Sequence, residues 1–87
     1  MAEICRFFGI IIYMYHKDHV PDHLHARFAE FEAMFSIDSG EIIEGELPKS
    51  QTRLIQAWIE IHKEELKNNW NLLQQENASF FKIKPLE

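Results

Sequence analysis

The sequence predicts an α+β fold: a small antiparallel sheet of three to five strands with one long C-terminal helix packed on one face. Three observations predict it. Branched and aromatic residues crowd the N-terminal half, apolar and polar residues alternate from Phe31 to Asp38, and an apolar stripe at helical spacing follows Pro48. When strands come first and a helix comes last, laying the helix on the sheet is the simplest way to bury both apolar surfaces.

The first segment, Ile4 to Tyr15, holds Phe7, Phe8, Ile10, Ile11, Ile12, Tyr13 and Tyr15. Apolar residues at consecutive positions predict one strand covered on both faces and central in the sheet, with Gly9 marking a bulge. The polar stretch Lys17 to Asp22, stiffened by Pro21, reads as a loop. A strand from His23 to Phe28 follows, with Leu24, Ala26 and Phe28 on one side and His23, His25 and Arg27 on the other.

A tight turn near Ala29 and Glu30 leads into the next strand. There Phe31, Ala33, Phe35 and Ile37 alternate with Glu32, Met34, Ser36 and Asp38, the pattern of a half-buried antiparallel strand. Asp38-Ser39-Gly40 is a turn signal, and a short strand spans Glu41 to Glu46. Pro48 is placed to open a helix, because the first turn needs no N–H from it. That helix is expected from about Lys49 to about Gln75, burying Leu54, Trp58, Ile61, Leu66, Trp70 and Leu73. Glu60, Lys63, Glu64 and Lys67 fall on its other side, where Glu60 and Lys63 pair weakly. Asn68 and Asn69 are expected to bend or fray it. Phe80 to Ile83 reads as a last short strand, confined to an edge by Pro85.

With 87 residues the chain is a single domain, 1–87, and its 46% apolar content supports one packed core. The net charge of −5 and the absence of any Lys/Arg run disfavour RNA or DNA, whose binding rests largely on phosphate neutralisation. The same acidity suits a basic protein partner. Cys5 is the only cysteine, so no internal disulfide forms, which fits a reducing cytoplasm; its apolar neighbours mark it as a small buried hydrophobe. The run Phe7 to Tyr15 is too short to span a bilayer and has no cleavage site after it, so neither membrane nor secretion is expected.

Four of the five histidines lie between His16 and His25. On a strand, His23 and His25 point the same way, and His19 precedes them on the loop. His19, His23 and His25 together can present imidazoles to one divalent metal such as zinc, nickel or iron, with Asp18 or Asp22 completing the shell or orienting a ring. The spacing matches no strong zinc signature. The same residues also suit acid–base chemistry on a phosphodiester, with Arg27 holding a phosphate oxygen and Tyr13 or Tyr15 assisting. They equally suit a pH-sensitive contact or a purely polar strand face. Asp38, Glu41, Glu44 and Glu46 form an acidic strip without calcium-loop spacing, read as a solvated edge. Trp58 and Trp70 are read as core anchors, and His62 as lying at the border of the helical stripe.

The opening Glu3 to Tyr15 and the segment Asp18-His19-Val20-Pro21-Asp22-His23-Leu24-His25-Ala26 resemble a family of small bacterial proteins called domain of unknown function 4160. Ile42 to Pro48, the helix through Trp58, His62 and Trp70, and the closing Ile83 to Leu86 continue the resemblance. The family's segment reads Asp-His-x-Pro-Pro-His-Phe-His; here Asp22 replaces the second proline and Leu24 the phenylalanine. The resemblance implies a bacterial, cytoplasmic protein, often encoded beside another small protein in a toxin–antitoxin-like pair, and it implies no reaction. The leading expectation is therefore one component of such a two-protein system, acting through protein–protein contacts with the neighbouring gene's product. The rival is a ribonuclease or other phosphodiester hydrolase centred on His19, His23 and His25, with or without metal. Homo-oligomerisation through a free edge or the helix is a third expectation.

Overall fold

In the computed structural model, which describes residues 1–87, five strands precede two helices: β1 (Ala2–Phe7), β2 (Ile10–Met14), β3 (His23–Phe28), β4 (Phe31–Ser36), β5 (Ile42–Glu46), α1 (Lys49–Ile61) and α2 (Lys63–Leu73). The strands form one antiparallel sheet in the order β1-β2-β3-β4-β5, so every connection joins neighbours. Both helices bury their apolar sides against the sheet face carrying Ile4, Ile12, Leu24 and Phe35. Trp58 is the largest fully buried side chain, and its ring lies 5.4 Å from that of Phe7. No helix is long and apolar enough to cross a membrane.

The α+β class stands, and so do the strands from His23, Phe31 and the residues after Gly40. The expected single N-terminal strand is instead a hairpin. Phe8 (φ 47°) and Gly9 (φ 78°) turn the chain within two residues, pairing Phe7 with Ile10. Two left-handed residues match the strand twist in such turns. Gly9 is therefore a turn residue, and the irregularity in pairing falls between Glu3 and Cys5. β1 lies at the sheet edge and β3 takes the centre.

The expected single helix is two. His62 (φ −112°, ψ 23°) separates them, and Glu64 and Glu65 in the first turn of α2 suit a helix N-terminus. The break also corrects the stripe. A step of five residues from Ile61 to Leu66 cannot stay on one helical face. Ile61 is 64% exposed, while Ile55, Ile59, Leu66 and Asn69 are buried. Pro48 sits just outside α1, and Glu60 approaches Lys63 at 3.7 Å as expected.

The tail forms no strand. Side chains clip it instead. Asn69 Nδ2–H donates to the Phe81 carbonyl and Phe81 N–H donates to Asn69 Oδ1, both at 2.8 Å; Trp58 Nε1–H donates to the Lys84 carbonyl at 2.9 Å. Ile83 N–H reaches the Ile4 carbonyl, so the tail runs beside the outer edge of β1. At the far edge, β5 pairs only with β4; its outer side has no strand partner and the strand is largely exposed. Gly45 lies there at φ 80°, where a Cβ would stand 2.3 Å from the Glu32 carbonyl oxygen.

Candidate metal centre

The central strand β3 places His23 and His25 on one side because side chains two apart share a face. The preceding loop folds back and delivers Asp18 between them. Asp18 Oδ2 lies 2.9 Å from His23 Nε2 and 3.2 Å from His25 Nε2. One ligand atom from each of the three residues falls within 4.8 Å of the others. A tetrahedral zinc site with bonds of about 2.0–2.1 Å separates its ligand atoms by about 3.3 Å, close to the two distances from Asp18 Oδ2.

Both rings are held in place. His23 is 1% exposed, with Trp70 of α2 at 5.0 Å between ring centroids. Its Nδ1 lies 2.7 Å from the Pro21 carbonyl and its Nε2 2.9 Å from the Asp18 carboxylate; both partners only accept, so both ring nitrogens donate, and Nε2 gives up its proton when an ion binds there. Nε2 is thereby aimed at the cluster, the arrangement in which a carbonyl orients a metal-bound imidazole. His25 stacks on Tyr13 at 5.2 Å and 15°, with Tyr15 edge-on at 4.9 Å.

Burial presses the Asp18 carboxyl upward, but the hydrogen bonds from His25 and the His19 backbone N–H, with His23 alongside, outweigh it and hold the group below its usual range. The carboxylate is thus ionised and ready to act as a ligand. His19 lies apart from the trio's close contacts: its side chain is 74% exposed, with Nε2 3.7 Å from Asp18 Oδ1. The carbonyl of Asp22 accepts the Ile37 N–H, and Asp22 is not among the three clustered residues.

Arg27 shares the face as expected, but its guanidinium is engaged. It lies 3.2 Å from Glu32 Oε2 and 5.4 Å above the Tyr13 ring, and Tyr13 Oη–H donates to Glu32 at 2.9 Å. Burial, then Glu32, pushes the Tyr13 phenol up to about 12. A cavity of about 190 Å³ opens beside His25, walled by Tyr13, Glu32 and Glu44. The sequence placed Glu32 only on the polar side of its strand, with no role at the site. A two-residue turn at Ala29-Glu30 sets Arg27 directly opposite it, so that pairing was the available signal.

A family model described as "Domain of unknown function (DUF4160)" matches residues 9–71. The chain belongs to this family. The DUF4160 match contains Asp18, His19, His23, His25 and Arg27, whereas the clipped tail lies beyond it. No curated protein and no solved structure matches.

Proposed function

We propose that this domain binds a divalent cation through Asp18 Oδ2, His23 Nε2 and His25 Nε2, and that the ion supports hydrolysis at the sheet face that carries His25 and Tyr13. The observation that carries this reading is the convergence of three ligand atoms within 4.8 Å, with the Pro21 carbonyl orienting the His23 ring so that Nε2 faces Asp18. Two imidazoles and a carboxylate suit zinc or iron. Three protein ligands leave a further position, where such an ion activates water; hydrolysis then gives hydroxide to one fragment and a proton to the other. Glu32 and Glu44 wall the neighbouring cavity and Arg27 is engaged by Glu32, so a polyanionic RNA strand meets repulsion there. A small or weakly charged substrate suits the face better.

The test is elemental analysis of protein purified without a histidine tag or chelator. One equivalent of metal is expected. His25→Ala and Asp18→Asn, chosen because neither residue lies deep in the core, should weaken binding more than about 100-fold, beyond the loss that orienting partners alone give. Metal-free native protein that also rejects added Zn²⁺ would end the reading.

A second reading is supported by the gene arrangement the resemblance implies and by the open acidic edge of β5. In it, the domain is one component of a toxin–antitoxin-like pair in a bacterial cytoplasm and works by protein contact. Failure to isolate a complex after co-production with the neighbouring gene's product would remove it.

A further inference from the structure

We infer that His19 is the fourth, exchangeable ligand of this centre, closing the resting ion and leaving when another donor arrives. The inference rests on the metal reading above and adds how the site is gated.

His19 lies on the loop four residues before His23, and in each ring Nδ1 faces a backbone carbonyl. Its Nδ1 lies 3.3 Å from the Val20 carbonyl, as that of His23 lies 2.7 Å from the Pro21 carbonyl. A carbonyl can only accept, so in both rings Nδ1 donates to the backbone and Nε2 is the nitrogen turned towards Asp18. All three Nε2 atoms surround one carboxylate: those of His23 and His25 at 2.9 and 3.2 Å from Oδ2, and that of His19 at 3.7 Å from Oδ1. The backbone N–H of His19 donates to Oδ1 at 2.9 Å, which folds the loop so that this ring follows the carboxylate. Its centroid is 5.3 Å from that of His23.

What separates His19 from the other two is packing. The His23 side chain is 1% exposed and that of His25 is 17% exposed, each against aromatic rings, whereas that of His19 is 74% exposed. The His19 ring meets the adjacent Val20 carbonyl, the His23 ring and Asp18 Oδ1 and is otherwise exposed, so it can swing onto an ion or off it at little cost in lost packing. Closed structural zinc sites hold four protein ligands and catalytic ones keep a position open. Two histidines on the packed strand β3, the half-buried Asp18 of the loop and one exposed loop histidine give both states to the same centre.

Cobalt(II) makes the fourth ligand visible, because its visible absorption reports coordination number and ligand type. Native protein, His19→Ala and His19→Gln are each loaded with one equivalent of Co²⁺ and titrated with thiocyanate. The expected native spectrum is four-coordinate and resists thiocyanate. Both variants should still take one Co²⁺, about tenfold more weakly or less tightly still, with a changed spectrum that responds to at least tenfold less thiocyanate. Identical spectra and identical thiocyanate responses in all three would overturn the role of His19 while leaving the trio intact. Failure of native protein to bind Co²⁺ at all would overturn the metal reading, and this inference with it.

Discussion

At the scale of single residues, the sheet face that carries Tyr13 and His25 is a chain of fixed side chains. Arg27 lies over Tyr13, Tyr13 stacks on His25, and His25 meets Asp18. Tyr13 offers the direct probe of this chain. Its phenol moves from an ordinary 10.0 up to about 12, because burial and then Glu32 disfavour the phenolate. An acid whose folded pKa is raised holds its proton in the native state while the unfolded chain loses it. Its contribution to stability is therefore complete below about pH 10 and declines as pH rises towards 12. Denaturant midpoints should fall across that window in native protein and fall less in Tyr13→Phe. Ultraviolet titration of tyrosinate should lose its late component in the same variant. A Tyr13→Phe curve parallel to that of native protein would mean that the phenol is not held as described.

At the scale of elements, legibility followed the range of the physics. Alternation over Phe31 to Ile37 and the turn signal at Asp38-Ser39-Gly40 are local, and they read correctly. The shared face of His23, His25 and Arg27 followed from a period of two. The first hairpin was hidden because its turn is Phe8-Gly9: a bulky aromatic at φ 47° runs against the usual turn chemistry. The helix break at His62 carries no glycine or proline, and only the five-residue step in the supposed stripe betrayed it. Asp18 entered the sequence reading as one of two candidate carboxylates, and only the fold of the loop chose between them.

The tail was read by propensity as a strand, but what holds it is long-range. Asn69, expected to weaken the helix, is buried and makes both of its hydrogen bonds to Phe81. Asn69→Ala should cost about 1–3 kcal/mol, because it strands a buried backbone donor and acceptor. Hydrogen exchange should then rise for residues 80–84, with the sheet amides of β2 to β4 still protected. Uniform loss of protection across the chain would instead mean that tail and sheet unfold together.

At the scale of the whole molecule, charge and topology together set what can approach. The net charge is −5, and the tail occupies the outer side of β1. β5 is left as the free edge, bearing Glu44 and Glu46, with Glu32 facing Glu46 across the strand pair. Unpaired backbone groups invite a further strand, while like carboxylates repel a second copy of the same edge. Like charge along the edge argues against a homo-oligomer built through β5, and under the two-protein reading it suits a basic segment. If the two-protein reading holds, the complex with the neighbouring gene's product should be salt-sensitive, since exposed charges beyond about 10 Å are screened at 0.1 M ionic strength. Affinity should fall at least about tenfold from low to physiological salt, mostly through slower association. Glu44→Lys with Glu46→Lys should weaken the complex comparably at low salt, and His25→Ala should leave it unchanged. A complex indifferent to salt and to the β5 substitutions would place the contact elsewhere. Loss on His25→Ala alone would move it to the histidine face and make metal and partner competitors for one site.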